Sequence, residues 1–305
     1  MPEVPCAFHP DRLTAVACSN CGRPICPDDM TPAPVGYQCP ICTGRAREGT
    51  FGAASYRTRT TVSRQVDRVP LVKTIRRAGI TPLLIAANVG VFIAMLTTGR
   101  FEARDVLLRF GALPPLLPRD QWWRLFTAMF VHVGFLHLLF NMWALTIFGP
   151  PIEQRYGRAR FLAMYLAAGL LGSAASLAFT AGGVRAGASG GVFGILGAWI
   201  GFFVRHRSAR GAADQLRSLF FLVGINLVIG FASGVIDNNA HLGGLAGGFI
   251  VATVLERSSR LRGAARELAG LAGYAAVVIV AVVLIANSGR FCDPVQIAPN
   301  AFACL

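Results

Sequence analysis

From residue 80 onward the chain is a close succession of apolar runs, and that pattern limits its fold more than any other feature. The runs fall at about 80–98, 131–149, 160–180, 187–204, 217–236, 238–255 and 269–287. Several approach the roughly 20 residues that a helix needs to cross a hydrocarbon core. In lipid, backbone N–H and C=O groups must be satisfied within the protein, so runs of this kind become helices. Composition agrees: 54% of the 305 residues are hydrophobic and 14% are charged, against roughly 25% charged in soluble domains. The expected fold class is an all-α, integral multi-pass membrane protein. The fourth run is short, as suits a helix that stops below the surface and opens onto a water-filled cavity.

The 29 basic and 15 acidic residues leave a net charge of +14. Nucleic acid is excluded as a partner, because the basic residues cluster at membrane edges without interleaved aromatics. Arg155, Arg158 and Arg160 follow the second run, Arg205, Arg207, Arg210 and Arg217 the fourth, and Arg257, Arg260, Arg262 and Arg266 the sixth. The connections after the third and fifth runs hold only Arg185 and no basic residue, respectively. This is the positive-inside pattern for a cytoplasmic amino terminus, and no signal-peptide pattern opposes it. Seven spans then place the carboxyl terminus outside, with a bacterial plasma membrane as the expected setting. Cys292 and Cys304 lie in that outer tail, as a disulfide or as two free thiols. The loop after the first run breaks the charge pattern with Arg100, Arg104, Arg109, Arg119 and Arg124, so it has another task.

Ahead of the spans, residues 6–42 hold six of the eight cysteines. They form the pairs Cys6-x2-His9, Cys18-x2-Cys21, Cys26-x2-Asp29 and Cys39-x2-Cys42. Ligands so spaced turn back onto one ion, and four pairs can build two tetrahedral zinc sites. A segment with so few apolar residues needs metal to supply its folding energy. The order resembles the B-box type of zinc finger, in which pairs one and three share one ion and pairs two and four the other. The resemblance implies one structural zinc on Cys6, His9, Cys26 and Asp29, and a second on Cys18, Cys21, Cys39 and Cys42. Asp29 departs from the commoner Cys or His, with Asp28 as its substitute. Residues 1–44 are expected to be this zinc-binding domain, fitted to a protein partner, a substrate tail or self-association. Residues 45–79 read as a basic flexible linker, whose Lys73, Arg76 and Arg77 meet the lipid headgroups of the bilayer.

Several polar residues stand inside the apolar runs, where burial is costly and usually functional. Ser189 heads the fourth run among Gly187, Gly190, Gly191, Gly194 and Gly197; His241 heads the sixth, before Gly244 and Gly248. Two glycine-faced helices pack tightly, so a serine hydroxyl could meet an imidazole that takes its proton. His137 and Asn141 lie four apart on one helical face and could donate to a developing oxyanion. Taken alone, the latter pair reads as a bond between helices.

Together these residues resemble those of the rhomboid intramembrane serine proteases. The matching motifs are Gly187-x-Ser189-Gly190-x3-Gly194, His241-x2-Gly244-x3-Gly248, His132-x4-His137-x3-Asn141, Trp123-Arg124 and Gly149-x3-Glu153-x3-Gly157. The resemblance covers residues 80–255 and implies a six-helix core over 80–258, with a seventh helix and outer tail over 259–305. It implies that Ser189 is the nucleophile and His241 the general base in a dyad without a carboxylate. His137, Asn141 and the Ser189 N–H would form the oxyanion hole, supported by His132. Trp123 and Arg124 would anchor the loop after the first span in the outer leaflet, and Glu153 would bond neighbouring helices. Phe193 stands where the family often has Tyr against the catalytic ring. The three histidines and Asn141 would line a pocket open to the outer face. The implied substrates are transmembrane proteins cut where a helix unwinds, and no cofactor is needed for the chemistry. A non-catalytic, client-binding relative is the alternative, although such relatives lack the serine or the histidine. A transporter is a weaker third reading, because the chain shows no repeated halves.

Overall fold

The computed structural model describes residues 4–33, 35–44, 79–209, 211–233, 236–292, 294–298 and 301–304. The chain divides into two compact units, Met1–Arg68 and Val69–Leu305. The linker expected over 45–79, apart from Gly79, lies outside the described residues, as do Lys73, Arg76 and Arg77.

The first unit has two tiny antiparallel ladders, β1 (Val4–Pro5) with β2 (Leu13–Thr14) and β3 (Thr31–Pro32) with β4 (Tyr37–Gln38). Its buried centre consists of Cys6, Phe8, Cys18, Ile25, Cys26 and Cys39. Four of those six are cysteines, so the ligand side chains themselves form most of the core.

In the second unit a long helix lies under every expected span. These are α1 (Ile80–Leu96), α2 (Phe135–Tyr156), α3 (Arg158–Phe179), α4 (Ser189–Arg205), α5 (Ala212–Ser233), α6 (Asn238–Arg257) and α7 (Gly263–Asn287). By length and composition, α2, α3, α5 and α7 can cross a membrane; α1 and α4 are shorter apolar helices. Hydrophobicity is turned outward as a bilayer requires: Phe135, Leu136, Phe140 and Trp143 of α2 and Phe221 and Phe231 of α5 are all exposed. Between them sits a core in which Tyr165, Phe161, Met164, Leu145 and Ile195 have no measurable exposure.

Helix α2 starts later and ends later than the run at 131–149. Gly134 at φ 82° begins it, which leaves His132 on the preceding coil, and Pro150 and Pro151 are carried inside it. Near its far end Glu153 caps α1. Its carboxylate accepts from the N–H groups of Ile80 at 2.5 Å and Thr81 at 2.9 Å and from Thr81 Oγ1 at 2.8 Å. A helix start has unpaired N–H groups and a partial positive charge, so a buried carboxylate fits there. At the same end, Arg155 grips Glu256 of α6 with Nε at 3.1 Å and Nη2 at 2.9 Å, and His206 Nε2 lies 3.0 Å from the same carboxylate. Arg155 therefore serves an internal ion pair as well as the charge pattern.

The loops contain strands that the apolar pattern does not announce. Strand β5 (Leu117–Pro118) pairs in parallel with β6 (Phe291–Cys292), beyond α7. A two-way backbone bridge joins Leu113 to Arg185, with both N···O distances 2.9 Å. Strands β7 (Pro294–Ala298) and β8 (Ala301–Cys304) form a hairpin. Cys292 is disulfide-bonded; the Cys304 side chain lies outside the described residues.

Replacing Glu153 with Ala strands two backbone donors and one hydroxyl in a buried setting, at a cost of about 3 kcal/mol. Thermal unfolding in detergent should show Glu153→Ala markedly destabilised and Glu153→Gln, which keeps an acceptor oxygen, less so.

Candidate active site

Glycines bring the heads of α4 and α6 together. A Cβ on Gly244 would lie 2.0 Å from the Gly190 carbonyl oxygen, and one on Gly248 would lie 1.8 Å from that of Gly194. Backbone therefore touches backbone along this seam, as small residues permit in lipid. Ser189 is the first residue of α4, and Phe193 lies one turn further on the same face. The Phe193 ring stacks on His241 with centroids 4.0 Å apart and planes at 12°. The serine and histidine thus occupy facing first turns of one seam.

His241 is buried and Ser189 half-buried. The Nδ1 of His241 has no hydrogen-bond partner, and Ser189 Oγ makes no hydrogen bond to the ring, among the described residues. The hydroxyl sits at a helix start, where the partial positive charge favours negative charge developing on oxygen.

The coil before α2 closes over this point. The Ala188 N–H donates to His132 Nε2 at 3.3 Å; the ring proton therefore belongs on Nδ1. His132 and His137 meet edge to face at 5.1 Å. The His137 ring fills the space beside Gly187, where a Cβ would lie 2.6 Å from Cε1, and Gly187 has φ 136°. Asn141 Nδ2 donates to the His137 carbonyl at 2.8 Å, which leaves its second N–H for another acceptor. The structure thus brings Ser189, His241, His132, His137, Asn141 and Phe193 to one end of the bundle. The residues expected to line a pocket differ in exposure. His132 has no exposure, Asn141 and His241 are buried, and Ser189 and His137 are half-buried.

Trp123 and Arg124 lie in the loop between α1 and α2. Trp122 and Trp123 are exposed, but the Arg124 guanidinium turns inward. It donates to the carbonyls of Leu108 at 2.6 Å and Ala112 at 3.0 Å and to Gln121 Oε1 at 2.6 Å, over the Trp123 ring. Arg124 is a hub within the loop, which accounts for one of its misplaced positive charges.

In the first unit the ligand atoms of Cys18, Cys21, Cys39 and Cys42 gather within 4.8 Å, and so do those of Cys6, His9, Cys26 and Asp29. Either set could hold a metal ion. The neighbouring aspartates differ: Asp29 is buried with Oδ2 3.0 Å from Cys6 Sγ and 2.9 Å from His9 Nδ1, whereas the exposed Asp28 pairs with Arg12. Burial pushes the Asp29 carboxyl up, but bonds from Cys6, Cys26 and His9 outweigh it and the net shift is down. In the other set burial also pushes Cys18 up, yet backbone donors at Cys21, Cys39 and Asn20 bring it to about 6. Burial pushes Cys21 and Cys42 the other way, Cys42 up to about 12, so of these three the metal-binding thiolate is favoured at Cys18.

Residues 119–258 match the Rhomboid domain family. The chain is 40% identical over 176 residues to "Rhomboid protease GluP" of Bacillus subtilis (strain 168), covering 57% of this chain and 34% of that protein. It is also 32% identical over 212 residues to "RHOMBOID-like protein 6, mitochondrial" of Arabidopsis thaliana, covering 58% of this chain and 69% of that protein. The chain belongs to the rhomboid family. A third relative, "Putative rhomboid protease YdcA" of Bacillus subtilis (strain 168), is 35% identical over 132 residues, covering 43% of this chain and 66% of that protein. The chain thus spans about a third of the first relative's length. The rhomboid domain holds every polar residue at the α4–α6 seam, and the paired Cys/His/Asp clusters lie outside it.

Sequence reasoning passed over Asp237, Thr180 and Arg185, which lie just behind the seam. Asp237 had a signal: an aspartate directly ahead of a helical run is a helix cap. Arg185 had none, because its partners are backbone carbonyls, two nearby at Thr180 and Gly182 and one distant at Pro114, and every residue offers such a group.

Gly248→Ala should force α4 and α6 apart against backbone, costing more than about 3 kcal/mol. Gly224→Ala on α5, where a Cβ meets nothing within 4 Å, should be neutral. Thermal unfolding of the two variants in detergent compares them directly.

Proposed function

We propose that the protein is an intramembrane serine endopeptidase that hydrolyses peptide bonds in or near transmembrane segments of other membrane proteins. The observation that carries the reading is the seam itself, with Ser189 and His241 on facing first turns and Phe193 stacked on the imidazole. The name of the Bacillus relative supports the same class of reaction.

In this reading Ser189 Oγ attacks the scissile carbonyl while His241 takes its proton, and His241 then returns the proton to the leaving amine. Water hydrolyses the acyl-enzyme by the reverse use of the same base. The oxyanion is met by the Ser189 N–H, by the free N–H of Asn141 and by His137. His132 positions the loop through Ala188, and Phe193 fixes the imidazole plane while lacking the hydroxyl a tyrosine would bring. The substrate helix unwinds near the outer face, because a helical amide is shielded from attack. Domain limits follow as 1–44 for the metal-binding part, 45–79 for a linker, 80–258 for the six-helix core and 259–305 for the seventh helix and tail. The amino terminus is cytoplasmic and the carboxyl terminus outside.

For the first unit we propose two structural zinc ions, remote from the chemistry. Cys21 Sγ and Cys39 Sγ are 3.7 Å apart, close to the roughly 3.8 Å between thiolates that share one tetrahedral zinc. Cys39 N–H donates to Cys18 Sγ and Cys26 N–H to Cys6 Sγ, both at 3.2 Å, as bound thiolates require.

One observation favours the client-binding alternative: no hydrogen bond links Ser189 to His241 among the described residues. Contacts of this kind often tighten only when substrate binds, and one experiment separates the readings. Purified protein in detergent is treated with fluorophosphonate or isocoumarin probes beside Ser189→Ala and His241→Ala. Labelling of the unaltered protein alone supports the hydrolase, and Asn141→Ala should slow it about 100-fold. Folded protein that labels no better than the variants would favour client binding. Chelation, or Cys21→Ser, should unfold residues 1–44, read by loss of bound zinc and by proteolysis, while labelling at Ser189 persists.

A further inference from the structure

We propose that Asp237, with Thr180 and Arg185, is a positioning residue that holds the loop entering the Ser189 helix in register with the cap of the His241 helix. The inference rests on the hydrolase reading above. Asp237 lies four residues before His241, but its carboxylate does not reach the imidazole. Oδ1 accepts from the Ala240 N–H at 3.1 Å and from Thr180 Oγ1 at 2.9 Å, and Oδ2 accepts from Ser176 Oγ. Both oxygens are engaged, while His241 Nδ1 has no partner among the described residues. Asp237 is therefore not the third member of a triad. It caps α6 and fastens that cap to the end of α3.

Thr180 ends α3 and works in both directions. Its hydroxyl donates to Asp237 and accepts from Asn239 Nδ2 at 3.0 Å. Its carbonyl accepts from Arg185 Nη2, which also reaches the Gly182 carbonyl at 3.1 Å, while Nη1 donates to the Pro114 carbonyl at 3.1 Å. The Arg185 backbone is bridged to Leu113, two residues later Gly187 N–H donates to the Ala128 carbonyl at 2.9 Å, and Ser189 follows. Arg185 is only 8% exposed, and a buried guanidinium is costly; three carbonyls offset part of that cost, while Nε has no partner among the described residues. One residue of α3 thus sets the height of both helix heads, the one with the nucleophile and the one with the base. A misplacement of about 1 Å between such groups costs on the order of 100-fold in rate.

Full-length protein in detergent is labelled with a fluorophosphonate over a range of concentrations, separating the limiting rate from probe binding, and each variant's folded fraction is followed by thermal unfolding. Asp237→Ala should lower the limiting rate on the order of 100-fold per folded molecule, with probe binding unchanged. Thr180→Val removes a single hydroxyl, so it decides the matter even if Asp237→Ala folds poorly. It should show a smaller loss of limiting rate, which Thr180→Ser reverses. Variants that label at the unaltered limiting rate per folded molecule would overturn the inference while leaving the hydrolase reading intact. So would a Thr180→Ser that fails to restore what Thr180→Val loses. An unaltered protein that does not label at all would overturn both.

Discussion

The backbone contact between α4 and α6 is the constraint from which the membrane unit is built. In lipid no hydrophobic force draws one helix to another, so association relies on close packing and weak polar contacts. Carbonyl oxygens of Gly190 and Gly194 occupy the positions where side chains of Gly244 and Gly248 would begin. Contacts of Cα–H with C=O become available at such separations. At the head of the same seam Phe193 stacks on His241. Packing and candidate chemistry therefore have one cause.

Polar groups within the bundle follow a second constraint, because each has to find a partner inside the protein. Glu153 answers the unpaired start of α1, Glu256 answers Arg155 and His206, and Asp237 answers the start of α6 together with Ser176 and Thr180. These bonds lie at helix ends, where backbone groups are unpaired, and they join helices distant in sequence. The rule is not absolute: His241 Nδ1 and His132 Nδ1 at the seam are buried without a hydrogen-bond partner among the described residues, and so are Tyr156 OH and Tyr165 OH away from it.

Helices and seam were legible in the sequence because length, hydropathy and glycine spacing are local properties. Each of the seven apolar runs has a long helix, and Ser189 and His241 each fall in the first turn of one. The start of α2 was misplaced because Val131 and Val133 extend the apolar run over a coil that Gly134 terminates. The short ladder of Leu117–Pro118 with Phe291–Cys292 could not be read, since two-residue strands carry no period and their partners are far apart in the chain. Hydrogen bonds to carbonyls were hidden for the same reason: every residue offers one, so nothing in the sequence singles out the carbonyls that Arg124 and Arg185 select. The aspartate pair was the reverse case. Spacing favours Asp29 with Asp28 as its substitute, and folding turns Asp29 inward and pairs Asp28 with Arg12.

The end of the bundle that carries Ser189 shows why a site in a membrane protein needs its loops as much as its helices. Helix packing fixes the distance between α4 and α6, but a residue at the first position of a helix is also directed by the chain that enters it. Here that chain is bonded at nearly every step: Arg185 to Leu113, Gly187 to Ala128, and Ala188 to His132. The loop that receives those bonds is itself held by Arg124 from within and by the strand beyond α7 at Leu117. A helix head restrained by both its partner helix and its entering loop loses less freedom on forming a reactive arrangement. The strand that follows the seventh helix, outside the matched Rhomboid domain, is thereby tied to the loop that bonds the chain entering α4.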